Sequence, residues 1–470
     1  MRMTSAAVAA AVGLPALTRC GDPAGPEDGW RSPLVQPPNL GATGVSLTAR
    51  PGIATISEGE STDAWLFNGS LPGPTLRARL GDTARIDLVN ALSGPTVVHW
   101  HGMLVPEEAD GHPRNAIAAG SSYAYEFPVR QRAGTCWYHP HAHHHTGEQI
   151  QRGLAGFFLV GDDEEAALAL PGGEQEVLLM LQDRAAAVTE AFAHAPSAAD
   201  LHDGVLRGTP YGNGVRRPAL DVGGGCYRFR LLNASHARVY RIAVSSGAPL
   251  TVIGNDGGLL PAVAEVPSVW LGVGERTDFL LDFTDVPVGT RLMIRSLPFD
   301  APGSGGKSRQ GMAMDLLELV RVDRSVPGRP ALPAVLSSVV PLGMPIRERT
   351  FAFRTTVSQE MHQINGLTFD MERVDVTVPF GEVERWIFRN DSTLPHPVHM
   401  HGTQFQIVAR SGGRGSVLPY EAGWKDTALL MPDESVEALV RFDAYRGRFL
   451  LHCHNLQHED MGMMLNVEVV

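Results

Sequence analysis

Four cysteines in 470 residues are too few for a disulfide framework. Cys20 falls in an apolar leader and Cys453 sits among histidines. Cys136 and Cys226 read as buried thiols, with a bridge between them left open. A surplus of positive charge is missing too: the net charge of −12 argues against a nucleic-acid partner. After the leader, no segment is apolar enough to span a membrane, which takes about 20 apolar residues in a helix. The run 6–17, which follows Arg2, is too short for a span and has the small-residue character of an export signal. Residues 1–25 are therefore expected to be a leader and the mature protein to be periplasmic or secreted. Arg19 departs from a lipoprotein cleavage site, which makes lipid anchoring at Cys20 the lesser alternative.

What the chain does have is a dense ligand stretch, residues 452–463. Cys453, His458 and Met463 are five residues apart, and thiolate, imidazole and thioether together suit copper. His452 and His454 flank Cys453 at the end of a predicted strand, 447–451. Side chains alternate there, so the two histidines face away from the thiol. Zinc would want four ligands at one point; here the alternation divides them into two sets joined through Cys453.

At about 150 residues per domain, 470 residues suggest three domains. From about residue 44 onward, alternating apolar strands are broken by glycines and prolines, the pattern of β-sandwiches. Internal repeats sharpen this reading. Gly81, Arg85 and Asn90 recur at the same spacing as Gly224, Arg228 and Asn233, and again as Gly381, Arg385 and Asn390. His99 and His101 follow the first asparagine as His399 and His401 follow the third; the middle copy has Ile242 and Val244. Gly134 and Gly447 lead into His139-Pro140-His141 and His452-Cys453-His454, where Gly289 leads into Ile294-Arg295-Ser296. An all-β chain of three homologous sandwiches follows, at 40–165, 166–325 and 340–470. Metal ligands are expected only in the outer two, with the middle copy a spacer and packing domain. Pro140 stands where Cys453 stands, so the first copy has no thiolate.

Four His-x-His pairs each place two imidazoles on one face of a strand. Eight buried imidazoles facing one another are costly without an occupant. They suit copper, and eight are too many for a single ion. The stretches His99-Trp100-His101-Gly102, Trp137-Tyr138-His139-Pro140-His141 and His396-Pro397-Val398-His399-Met400-His401-Gly402, with 452–463, resemble the four copper-binding segments of multicopper oxidases. The likeness covers nearly the whole chain after the leader. It is greatest to bacterial three-domain laccase-like and metallo-oxidase members.

That resemblance implies three cupredoxin-like Greek-key sandwiches and four copper ions: one type 1, one type 2 and two type 3. It assigns Cys453, His396, His458 and Met463 to type 1, and His99 and His399 to type 2. His101, His139 and His454 would hold one type 3 ion, and His141, His401 and His452 the other. The implied activity couples four one-electron oxidations of a small reducing substrate to reduction of O₂ to water. Electrons would travel through Cys453 and its flanking histidines. Asp110 and Glu459 match the family's acidic residues beside the trinuclear site and are the candidate proton donors.

His143, His144 and His145 read as loop histidines; His112, His194, His202, His236 and His362 read as structural or exposed. Cuprous oxidases of the family carry a methionine-rich insert over type 1, whereas 303–314 holds only Met312 and Met314. An open edge of His458 or His396 is therefore expected, which favours phenols and aromatic amines. Oxidation of Cu(I), Mn(II) or Fe(II), or a non-enzymatic envelope copper-binding role, are the alternatives. A copper nitrite reductase would need no type 3 pairs.

Overall fold

The structure is a computed structural model and describes residues 32–300, 309–356 and 361–470. The leader expected at 1–25, with Cys20, and residues 303–308 of the insert position lie outside the described residues. Alternating side chains build the sheets. In Thr83–Asn90, Ala84, Ile86 and Leu88 are buried while Arg85 and Asp87 face water. Among the described residues six sheets stack as three sandwiches. A four- and a five-stranded sheet occupy residues 39–161, and two five-stranded sheets occupy 347–469. Between them lie a seven- and a six-stranded sheet, which also takes up the short strand Ser32–Pro33. Each sandwich buries its own aromatic core, around Trp100, Phe229 and Trp386 respectively. Strand orders that skip sequence neighbours give the Greek-key character. Cys136 and Cys226 are free buried thiols in separate apolar clusters, so no bridge joins them. Among the described residues no helix is long and apolar enough to cross a membrane.

The repeated asparagine does one job three times. Asn90, Asn233 and Asn390 end equivalent strands, each buried. Their side-chain oxygens accept from the backbone N–H two residues on, at Leu92 (3.1 Å), Ser235 (3.1 Å) and Ser392 (2.9 Å). Their amides donate across the turn to the carbonyls of Gly94, Arg238 and Leu394. Both ends of each buried asparagine amide are thereby matched. The turn feeds the next strand: Val98–His101, Tyr240–Val244 or His396–Met400.

In the outer sandwiches these strands pair identically with the second ligand strand. His99 lies opposite His139 with Val98 opposite Pro140, and His399 lies opposite His452 with Val398 opposite Cys453. The middle copy pairs Ile242 with Ser296 and Val244 with Ile294, two residues out of that register. A shift of two keeps every side chain on its own face, so an apolar pair of strands tolerates it. Paired ligands would not.

Candidate metal centres

Antiparallel pairing of Gly447–Cys453 with His396–Met400 turns Cys453 into the core of the third sandwich. His458 comes from the following helix, Leu456–Asp460, which Asn455 caps by accepting from the Gln457 N–H. Cys453 Sγ lies 3.4 Å from His396 Nδ1 and 3.6 Å from His458 Nδ1. Met463 is fully buried, and its backbone brackets the pair. Cys453 N–H donates to its carbonyl (3.0 Å), and its own N–H donates to the His458 carbonyl (2.9 Å). Burial holds His396 at about 3 and pushes the Cys453 thiol up, as desolvation disfavours either charged form.

On the opposite face of that strand the other eight candidate ligand histidines converge across the seam between the first and third sandwiches. His99 Nε2 and His399 Nε2 stand 3.2 Å apart. Each ring is fixed from behind by a carbonyl: His99 Nδ1–H donates to Asp110 O (2.6 Å) and His399 Nδ1–H to Asp426 O (2.9 Å). Two lone pairs are thus aimed at one point, the usual way a protein presets a ligating histidine. His141, His401 and His452 bring their Nε2 atoms together, with His452 3.1 Å from His401 and 3.4 Å from His141. His101 Nδ1, His139 Nε2 and His454 Nε2 are buried without a hydrogen-bond partner. Burial, reinforced at most of them by neighbouring imidazoles, keeps all eight below the ordinary 6.5, at about 3 for His139 and about 4 for His452. Neutral imidazoles with orphaned lone pairs, beside a thiol set, are a donor set that fits copper.

Both expected proton donors lie at this cage. Asp110 Oδ2 accepts from His401 Nδ1–H (2.8 Å), while its Oδ1 is buried without a hydrogen-bond partner, 3.7 Å from His99 Nδ1. The Glu459 carboxyl oxygens lie 3.5 Å from His141 Nε2 and 3.4 Å from His452 Nδ1, without a hydrogen-bond partner. Burial raises both carboxyls well above the usual range, helped at Glu459 by Asp460.

Two residues of the site escape sequence reasoning. Asp426 Oδ1 lies 3.1 Å from His101 Nε2, and Arg276 Nη1 donates to the same oxygen (2.8 Å). Arg276 belongs to the middle sandwich and also donates to the Thr135 carbonyl of the first (2.8 Å). Neither residue sits in a histidine motif, so spacing gives no signal.

The expected open type 1 edge is not there. His396 and His458 are both 0% exposed. His458 Nε2–H donates to the His202 carbonyl (3.0 Å), and its ring stacks on His362 at 3.9 Å. His202 lies on the middle sandwich's helix Ala198–Asp203. The middle sandwich therefore reaches the Cys453 set, and His202 and His362 form a roof over His458. His112 pairs with Asn466 (2.8 Å), His236 Nε2 lies 2.9 Å from the Gly147 carbonyl, and His144 Nδ1 lies 2.7 Å from the Asp460 carbonyl.

Three cupredoxin sandwiches, a thiol–imidazole set and a histidine cage joined through one strand are the layout of a copper oxidase. Residues 48–165 and 343–470 match the family descriptions of multicopper oxidases. The chain belongs to the multicopper oxidase family and is a copper-dependent oxidoreductase using O₂ as acceptor. It is 31% identical to a laccase of Bacillus stratosphericus, over 87% of this chain and 91% of that one. It is 32% identical to the cell division protein FtsP of Dickeya dadantii, over 93% and 92%. The crystal structure of McoA multicopper oxidase from Aquifex aeolicus superposes with a TM-score of 0.85 at 31% identity, over 93% of this chain and 99% of that one.

Proposed function

We propose that this chain is a laccase-like enzyme that oxidises phenols and aromatic amines one electron at a time and reduces O₂ to water. The carrying observation is that Cys453 touches His396 and His458 while its chain neighbours His452 and His454 belong to the other cage. His396, Cys453, His458 and Met463 would hold the type 1 ion, and His99 and His399 the type 2 ion. His101, His139 and His454 would hold one type 3 ion, and His141, His401 and His452 the other. Bound copper would supply a one-electron acceptor at the first set and a four-electron O₂-reducing centre at the others.

The chain's own residues do the rest. Cys453 and its two peptide neighbours provide a short covalent path between the sets. The carbonyls of Asp110 and Asp426 hold His99 and His399 in the tautomer that leaves Nε2 free. Asp110 holds a proton at Oδ1 and Glu459 at its carboxyl, each beside a cage histidine, ready to be passed on as general acids. We assign the sandwiches to about 40–165, 166–325 and 340–470, and the working compartment to the periplasm or the exterior.

The test is copper content and absorption of the wild type and Cys453→Ser, with 2,6-dimethoxyphenol and Cu(I) offered to dialysed, metallated enzyme. Four ions per chain, a blue band and phenol turnover without added copper are expected, and Cys453→Ser should lose colour and turnover but keep the histidine-bound ions. Cu(I) turnover with phenol oxidation only on added copper would replace this reading with a metallo-oxidase.

A further inference from the structure

The roof over His458 has an outer side. Helix Ala198–Asp203 packs on Leu456–Asp460 and points carbonyls inward. His202 O accepts from His458 Nε2–H (3.0 Å), Leu201 O from His362 Nε2–H (3.1 Å) and Asp203 O from Asn455 Nδ2 (3.3 Å). Asn455 in turn donates its backbone N–H to Cys453 Sγ (3.4 Å). Gly204 has φ +85°, and a Cβ there would lie 2.6 Å from the Asn455 side chain. Only glycine lets the roof approach this closely.

On its far side the roof forms one wall of a surface pocket of about 380 Å³, lined among others by Ala199, Asp200, Asp203, Leu206, Arg207 and Arg309. Its walls are held in place. Arg207 N–H donates to Asp183 (2.6 Å), and Arg238 donates to Asp183 (2.9 Å) and to the Arg309 carbonyl (2.8 Å). The acids are already engaged: Asp200 accepts twice from Arg207 (2.7 and 3.1 Å), and Asp203 lies 2.6 Å from His202 Nδ1. Compensated carboxylates leave little for a metal cation, and among the described residues no thioether or thiol lines the pocket to take Cu(I). Hydrogen-bonding groups of both kinds around a small apolar patch suit an uncharged arene bearing hydroxyl and ether oxygens.

We propose that this pocket is the docking site of the electron donor, a hydroxy- or methoxy-substituted arene. Its electron enters through the hydrogen bond between the His202 carbonyl and His458, not through a bare histidine edge. The proposal rests on the laccase-like reading. The donor's O–H bond breaks. One electron would pass inward to the copper that His396, Cys453, His458 and Met463 would hold, the proton leaves to water at the pocket mouth, and a phenoxyl radical departs.

The experiment titrates 2,6-dimethoxyphenol calorimetrically into fully reduced, anaerobic holoenzyme, which can bind the donor without oxidising it. Ala199 is exposed, so Ala199→Trp fills the pocket without disturbing a core. One saturable site is expected in the wild type. In Ala199→Trp binding should weaken roughly tenfold and kcat/KM fall by the same factor, with the blue absorption unchanged. Met344→Trp, at an exposed position elsewhere, should match the wild type. Binding and kcat/KM of Ala199→Trp equal to wild type would overturn the docking site while leaving the laccase reading intact. A wild type that neither binds nor oxidises the phenol yet turns over Cu(I) would overturn the laccase reading itself.

Discussion

A neutral imidazole is the form that binds copper and the form that tolerates burial, and the pairing has a pH signature. In the copper-free protein His139 and His396 titrate at about 3 and His452 at about 4, against 6.5 when exposed. Between those values the unfolded chain binds more protons than the folded one. Stability is therefore fully present above 6.5 and is lost as pH falls toward the folded values, with a slope up to about 1.4 kcal/mol per pH unit for each group. Asp110 and Glu459 act in the opposite sense: their raised folded values favour folding at low pH, an advantage lost as pH rises above the unfolded carboxyl range. Three carboxyls, counting Asp460 raised by burial to about 7, oppose the eight cage histidines together with His396 and His458, so the histidines dominate. Calorimetry of copper-free protein should show Tm dropping steeply from pH 6.5 to 4; a flat profile would mean the imidazoles are not buried neutral.

Among the elements, the asparagine turns separate stability from spectroscopy. Asn390→Ala and Asn233→Ala each remove buried hydrogen bonds, and each should cost about 2–4 kcal/mol. Of the two, only Asn390 reaches a proposed copper ligand. It accepts from Ser392 Oγ (3.0 Å), and that hydroxyl lies 2.7 Å from His396 Nε2. Asn390→Ala should therefore also shift the blue absorption, while Asn233→Ala leaves it in place; equal spectra in both would show that the turn does not steer His396. The asparagine was legible as a landmark because its spacing repeats, but its task was not, because the partners are backbone carbonyls that any sequence supplies. The His-x-His strands were legible because period two fixes which face each side chain takes. The roof helix was invisible: six residues with no metal motif become functional only through where the middle sandwich places them.

At the scale of the molecule, Arg276 ties the middle sandwich to the first through Thr135 and to the third through Asp426. Arg276→Met would leave Asp426 buried and uncompensated beside His101, a loss of about 3–5 kcal/mol. Its Tm should drop and its type 3 copper content fall below that of the wild type, while Arg276→Lys, unable to hold the carboxylate with a planar fork, should sit between them. Full copper loading in Arg276→Met would restrict the arginine to packing. The three-copy plan was legible from repeats, whereas this tie was not, because its groups come from three different copies and share no spacing.

The centre's two halves are far apart in the chain: His99 faces His399 across 300 residues, and His141 faces His452 across 311. A ribosome delivers the first four imidazoles long before their partners exist. Until the third sandwich is made, those four are an open chelator able to trap whichever cation it meets. Correct loading is thus a matter of timing, and it favours metal supply after synthesis is complete over capture by the growing chain.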